Sequence, residues 1–325
     1  MRLEGTQIVV DEKPFCVWEL DQNRRNHNFI KNFDPYYFRY IANMHNSVFK
    51  SDEESENHQY AALSIRLTYS HALETFFAFL FASLQAPDCL GGWLKKYSPK
   101  DLENLIQKVS HRKNILTKIK LESISWVSIA KCIFQNVVLK NSEQSDKYKK
   151  KFGLLWKFFS KDFTNDKIRE EYNSLKHGFR ITPGGFGIAI GLQDAPDKPA
   201  PPERMQTVGY SKFGSSFPVE EKIRENEPSF RIKRHSRNWE VENLVHGVNL
   251  ISISLFNIQS YLRIVNSIKP SECRFDYPSE IEYFEEPWKR IVGVNESSFD
   301  MQFNIEDIPI CKKEDVLEYY YKKNT

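Results

Sequence analysis

Paired cysteines are missing from this chain. Its 325 residues include only Cys16, Cys89, Cys132, Cys273 and Cys311, odd in number and far apart. That spacing indicates neither a disulfide framework nor a zinc site, and a reducing interior is the natural setting. Long hydrophobic runs are missing too: the longest, Thr75 to Leu84, falls well short of the roughly 20 residues that cross a bilayer. The opening Met1-Arg-Leu-Glu-Gly-Thr-Gln carries no apolar signal region. A cytoplasmic, soluble protein with no membrane partner is therefore expected. There is little excess charge, and a net +3 neither demands nor excludes nucleic acid, so any basic surface must be local. No zinc, EF-hand, P-loop or nucleophile-elbow pattern occurs. No metal and no cofactor are expected. Gly184-Gly185-Phe186-Gly187 is turn punctuation, because no helix follows it to receive a phosphate.

What is present is ordinary in bulk and rich in rings. Hydrophobic residues make up 40% and charged residues 27%, as in soluble globular proteins, while 24 Phe and 15 Tyr predict an aromatic core. Residues 1–56 form a mixed N-terminal extension with short strands at Ile8–Val10 and Phe15–Trp18 and a short helix opening near Asp34. From His58 to Gln85 the pattern is helical and apolar all round, which marks a helix at the centre of a bundle. Ser98-Pro99-Lys100-Asp101 has the form of a capping box opening a helix through about His111. Helical spacing recurs from Glu122 to about Leu139 and from Ser145 to about Lys161. Asn165 caps a further helix with the stripe Ile168, Tyr172 and Leu175, ended by Gly178.

After Gly178 the period changes. Phe179–Gly185 and Phe186–Leu192 read as a hairpin around Pro183-Gly184-Gly185, with further strands at Thr207–Tyr210 and Ser229–Lys233. From Val241 to Val265 apolar residues alternate in steps of three and four, a seam about seven turns long. Residues 271–325 are an acidic, irregular tail with a short helix from about Lys313. The expected fold is mainly α: a helical bundle over 57–270, with a β-hairpin insertion at about 179–235 before its last long helix.

Three constellations carry chemistry. Arg169, Asn173 and His177 lie four residues apart on one helical face, with Lys176 beside them and Arg180 just past the helix end. Cleaving a phosphodiester without metal needs a base for the ribose 2′-hydroxyl and a cation for the charge on phosphorus. His177 supplies the first, Arg or Lys the second, and Asn173 an orienting amide. The same residues are also ordinary helix-ending chemistry, since Lys and His are common before a terminal Gly. The second constellation is Arg66, His71 and Glu74, predicted to pair as a buried polar network because Glu74 sits in a strongly apolar helix. The third is Lys147-Tyr-Lys-Lys-Lys-Phe152 with Lys157 and Lys161, either a track for a nucleic-acid backbone or a solvated helix face.

Asn173-Ser-Leu-Lys-His177 ends one helix, and an earlier helix carries Arg66-Leu-Thr-Tyr-Ser-His71; together they resemble the HEPN superfamily over roughly residues 57–267. The resemblance implies a helical bundle of the kind found in metal-independent RNases of bacterial toxin and phage-defence systems, or in their catalytically silent relatives. Asn173 and His177 fit the Asn and His of that family's pattern, while Tyr172 stands where the pattern has Arg. The resulting expectation is an endoribonuclease or RNA-binding protein. Its candidate partners are RNA, another protein, or a second copy of the chain in a homodimer. A non-catalytic interaction scaffold and a nucleotide- or small-ligand-binding bundle are the alternatives.

Overall fold

Helices form where the apolar period demands them, and a computed structural model shows how they stack. It describes residues 7–9, 17–19, 21–51, 56–137, 142–193, 200–222, 230–278, 284, 296–298 and 311–324. Strands β1 (Gln7–Val9) and β2 (Val17–Glu19) pair antiparallel ahead of α1 (Gln22–Asn32) and α2 (Tyr37–Ser51). Six helices follow: α3 (Glu56–Gln85), α4 (Leu90–Lys96), α5 (Pro99–Ser110), α6 (Trp126–Ile133), α7 (Ser142–Phe163) and α8 (Asp166–Lys176). Then come β3 (Thr182–Pro183), β4 (Gly187–Ile190), β5 (Gln206–Tyr210), β6 (Gly214–Lys222) and β7 (Phe230–Asn238). The chain closes with α9 (Val241–Val265), β8 (Glu296–Ser298) and α10 (Lys313–Asn324). The protein is mainly helical with a small antiparallel sheet.

The core lies where α3 meets α9. Phe76, Phe77, Leu80 and Phe81 of α3 and Val248, Ile251, Leu255 and Ile258 of α9 are all buried. α2 packs on both of these helices and α6 on α7. Trp156 of α7 lies tilted against Phe76 and donates its ring N–H to Ser254 of α9 at 3.0 Å, so a large polar-tipped ring is buried without an orphaned donor. By length and composition α9 could cross a membrane, but 61% of its most apolar stretch is buried in the bundle. Here its seam is core.

Local signals set several boundaries. Ser98 Oγ accepts from the Asp101 amide, and the Asp101 carboxylate accepts from the Ser98 amide, closing the expected capping box of α5. Asn165 Oδ1 accepts from the Lys167 and Ile168 amides at the start of α8. α8 stops because Gly178 adopts φ +88° and Phe179 φ +50°, a left-handed pair that turns the chain away. α1 escapes apolar periodicity because only Asn26 and Ile30 of its largely polar sequence are buried. α6 is shorter than the expected Glu122–Leu139, being capped by Ser125; residues 138–140 lie outside the described residues.

The expected hairpin around Pro183-Gly184-Gly185 is corrected. β3 pairs with β6 and β4 with β5, so the two halves of that hairpin enter different sheets. The glycines serve a close crossing: Gly184 and Gly185 amides donate to the Gly214 and Lys212 carbonyls. A Cβ on Gly185 would sit 2.1 Å from the Ser211 carbonyl oxygen. β6 and β7 pair from Gly214↔Asn238 to Lys222↔Phe230, and β8 adds to β7 at the sheet edge, giving the order β3-β6-β7-β8. Much of the acidic tail called over 271–325 lies outside the described residues.

Candidate functional site

α8 presents two faces. Ile168, Glu171, Ser174 and Leu175 are buried on its inner side, while Arg169, Asn173, Lys176 and His177 lie on the wall of a cavity of about 390 Å³. The opposite walls come from α3 (Ser70, Leu73, Glu74) and the N-terminal end of α5 (Pro99, Lys100, Glu103). Phe163 and Ile168 add apolar surface, so the cavity joins an apolar floor to a charged rim. That is the usual build of a ligand site.

Four of the five expected catalytic residues are thus brought together, and one is not. Arg180 is exposed past the helix end and is absent from the cavity lining. Arg169 donates to Glu103 of α5 at 3.2 Å and to Asp166 at 2.5 Å. Lys176 Nζ lies 3.7 Å from Glu74 Oε2 and 5.2 Å from the centre of the Tyr172 ring. His177 caps the helix through its amide, bonded to the Asn173 carbonyl at 2.9 Å, and its ring faces solvent at the rim. Asn173 is exposed beside it. Among the described residues, no side-chain hydrogen bond or ion pair occupies Asn173, His177 or Lys100.

The expected network of Arg66, His71 and Glu74 divides in two. Arg66 turns inward and donates to Glu171 Oε2 through Nε at 3.0 Å and Nη2 at 2.6 Å. Glu74 is half-buried and instead accepts from the Tyr172 hydroxyl at 2.9 Å. His71 is exposed, with its ring edge-on to Phe38 at 5.1 Å. The reason is geometric. Residues 66 and 74 face α8 at successive levels, so Glu171 meets the first and Tyr172 with Lys176 meets the second.

Behind the cavity, Glu171 is the hub. Besides Arg66 it accepts from the Ser215 hydroxyl of β6 at 2.5 Å and the Trp239 ring N–H at 2.9 Å, and Arg237 of β7 lies 3.6 Å away. Burial alone would raise its carboxyl, but Arg66 and Arg237 more than offset this and hold it below its ordinary value. Burial also pushes Asp162 up, although Tyr69 donates to it at 2.6 Å, and pushes the Tyr172 hydroxyl up with help from Glu74. Glu296 of β8 pairs with Arg237 at 2.9 Å and Lys167 at 2.6 Å, fastening the sheet edge to α8.

Sequence reasoning missed Glu171, Tyr172 as a hydroxyl donor, and the α5 wall. One signal was available: Glu171 falls between Ile168 and Leu175 on the inner stripe, where a carboxylate requires a partner. Lys100 and Glu103 gave none, since their place depends on packing between distant helices. On the basic helix α7, Lys157 and Lys161 are exposed and Lys149 lies 3.8 Å from Asp146. None of the three lines the cavity. Among the described residues no group of His, Cys, Asp and Glu is arranged to hold a metal. No family model, curated protein or solved structure matches the chain.

Proposed function

We propose that the protein is a HEPN-like bundle acting on RNA, cleaving a phosphodiester at the α8 cavity by metal-independent acid/base chemistry. The observation that carries this reading is the gathering of Arg169, Asn173, Lys176 and His177 on one cavity wall, with Lys100 lining it from α5. His177 takes the proton of a ribose 2′-hydroxyl, the freed oxygen attacks phosphorus, and the 5′-oxygen departs with the proton that His177 returns. The products are a 2′,3′-cyclic phosphate and a 5′-hydroxyl end. Lys176, beside His177, offsets the charge that builds on the phosphorane oxygens, Asn173 orients that phosphate, and Arg169, two turns back on the same face, holds a neighbouring phosphate of the strand. Tyr172 stands at the Arg position of the family pattern, so in this chain the cationic role at the reacting phosphate falls to Lys176. A cytoplasmic setting and a part in bacterial defence belong to the same reading.

Binding without cleavage is the second reading. It is favoured by the carboxylates already holding the cations: Glu103 and Asp166 on Arg169, and Glu74 near Lys176. Purified protein incubated with mixed RNA in chelator separates the two. Cleavage by the wild type that vanishes in a folded His177→Ala variant supports the enzyme. RNA bound but left intact by both proteins supports the binding module. Absence of both binding and cleavage overturns the RNA reading and leaves an interaction scaffold or small-ligand bundle.

A further inference from the structure

The two ends of the α8 cavity are built alike. Arg169 and Lys176 stand seven residues apart, two turns and about 10 Å along the helix at ~1.5 Å per residue, so they share a face. Each is steered by a carboxylate from a facing helix: Glu103 of α5 for Arg169, Glu74 of α3 for Lys176. Each also has a second positive or titratable neighbour without an ion pair among the described residues, Lys100 at the first end and His177 at the second. The lining also holds apolar Leu73, Phe163 and Ile168, with Asn173 on the α8 wall between the two cations.

Glu103 and Asp166 each take one N–H of the Arg169 guanidinium, which fixes its direction and leaves three of its five donors for a ligand. The same holds for an ammonium whose acid partner lies at 3.7 Å, beyond a direct hydrogen bond. Two such cations beside an apolar surface fit a ligand with two anions spaced by a sugar and a flat ring carried to one side. Resting on the RNA reading above, we infer that the cavity takes one nucleotide carrying phosphates on both its 3′ and 5′ sides, the unit found inside a strand. A terminal monophosphate satisfies one end and leaves the other facing water. The base packs on Phe163 and its apolar neighbours, an interaction that tolerates every base.

Calorimetric titration of the full chain with adenosine 3′,5′-bisphosphate, adenosine 3′-monophosphate and adenosine 5′-monophosphate tests this. The bisphosphate is expected to bind at least about tenfold tighter than either monophosphate, the scale of one charge-assisted contact. Arg169→Gln and Lys176→Gln each weaken the bisphosphate about tenfold, and each weakens a different monophosphate. Lys100→Gln reproduces the Arg169→Gln pattern, which keeps the test open should one variant unfold, as circular dichroism would reveal. A short single-stranded RNA displaces the bisphosphate. If the bisphosphate binds no tighter than the monophosphates, or both variants weaken the same one while RNA is still cleaved, the two-ended cavity is wrong and the RNA reading survives. If the bisphosphate binds as expected but RNA neither displaces it nor is cut, the strand is not the source of the ligand and the RNA reading itself fails.

Discussion

The inner and outer faces of α8 each carry an arginine–glutamate pair, and the two pairs sit in different media. Arg66 and Glu171 have side-chain exposures of 4% and 0%, with every oxygen of the carboxylate engaged by donors. Arg169 and Glu103 are 36% and 21% exposed at the rim of an open cavity. In the low dielectric behind the helix a lone charge is expensive, so the inner pair holds only as a complete set. At the rim water screens both partners, and either can let go to meet a ligand. The comparison separates architecture from exchangeable chemistry within eleven residues of helix.

The largest effect is expected on the inner face. Glu171→Ala strands Arg66, and chemical denaturation should show a loss of about 3–5 kcal/mol. An unchanged midpoint would mean that water reaches Arg66. Acid titration sharpens the point. The Glu171 carboxyl is held below its ordinary value of 4.5, so its contribution is full above that value and disappears as pH falls through the lower folded value. Urea midpoints across about pH 3–7 should therefore fall more steeply on acidification for wild type than for Glu171→Gln. Parallel curves would assign the acid sensitivity to other carboxylates.

On the outer face, His177→Ala should lower RNA cleavage by about 10²- to 10⁴-fold, while shifting stability by less than about 0.5 kcal/mol. A variant that melts early would place the ring in the architecture after all. Gly178→Ala, which forces a Cβ onto φ +88°, should cost about 1 kcal/mol and loosen the end of α8. A silent substitution would show that the turn tolerates another conformation. Arg169→Ala is expected to change stability by only about 0–1 kcal/mol because its pairs are half-exposed. A loss near that of Glu171→Ala would erase the distinction between the faces.

What was legible in the chain divides along similar lines. The α3 and α9 helices, the Ser98 capping box, the Asn165 cap and the Gly178 stop all write themselves within a few neighbouring residues. Strand pairing does not. Thr182 finds Ser216 in place of its neighbours because two glycine amides reach the carbonyls of 212 and 214, a choice invisible in alternation. Arg169, Asn173, Lys176 and His177 were readable as one helical face. Their opposing wall at Lys100 and Glu103 was not, for it depends on where α5 docks. Glu74 was marked as needing a partner, and Arg66 was offered as that partner, but Arg66 instead meets an acid 105 residues away in sequence.

That separation has a consequence for the order in which a ribosome delivers the parts. All the cavity walls, from Ser70 to His177, emerge before Ser215, Arg237 and Trp239. Domains generally fold from the N-terminal side during synthesis. The nascent helices can therefore bring Arg66 to Glu171 while water still surrounds both. Arrival of β6 and β7 then expels that water, and the attraction between two charges already in register grows as the local dielectric falls. The sheet then acts as a seal over that junction, and α9, which follows it in the chain, completes the core against α3.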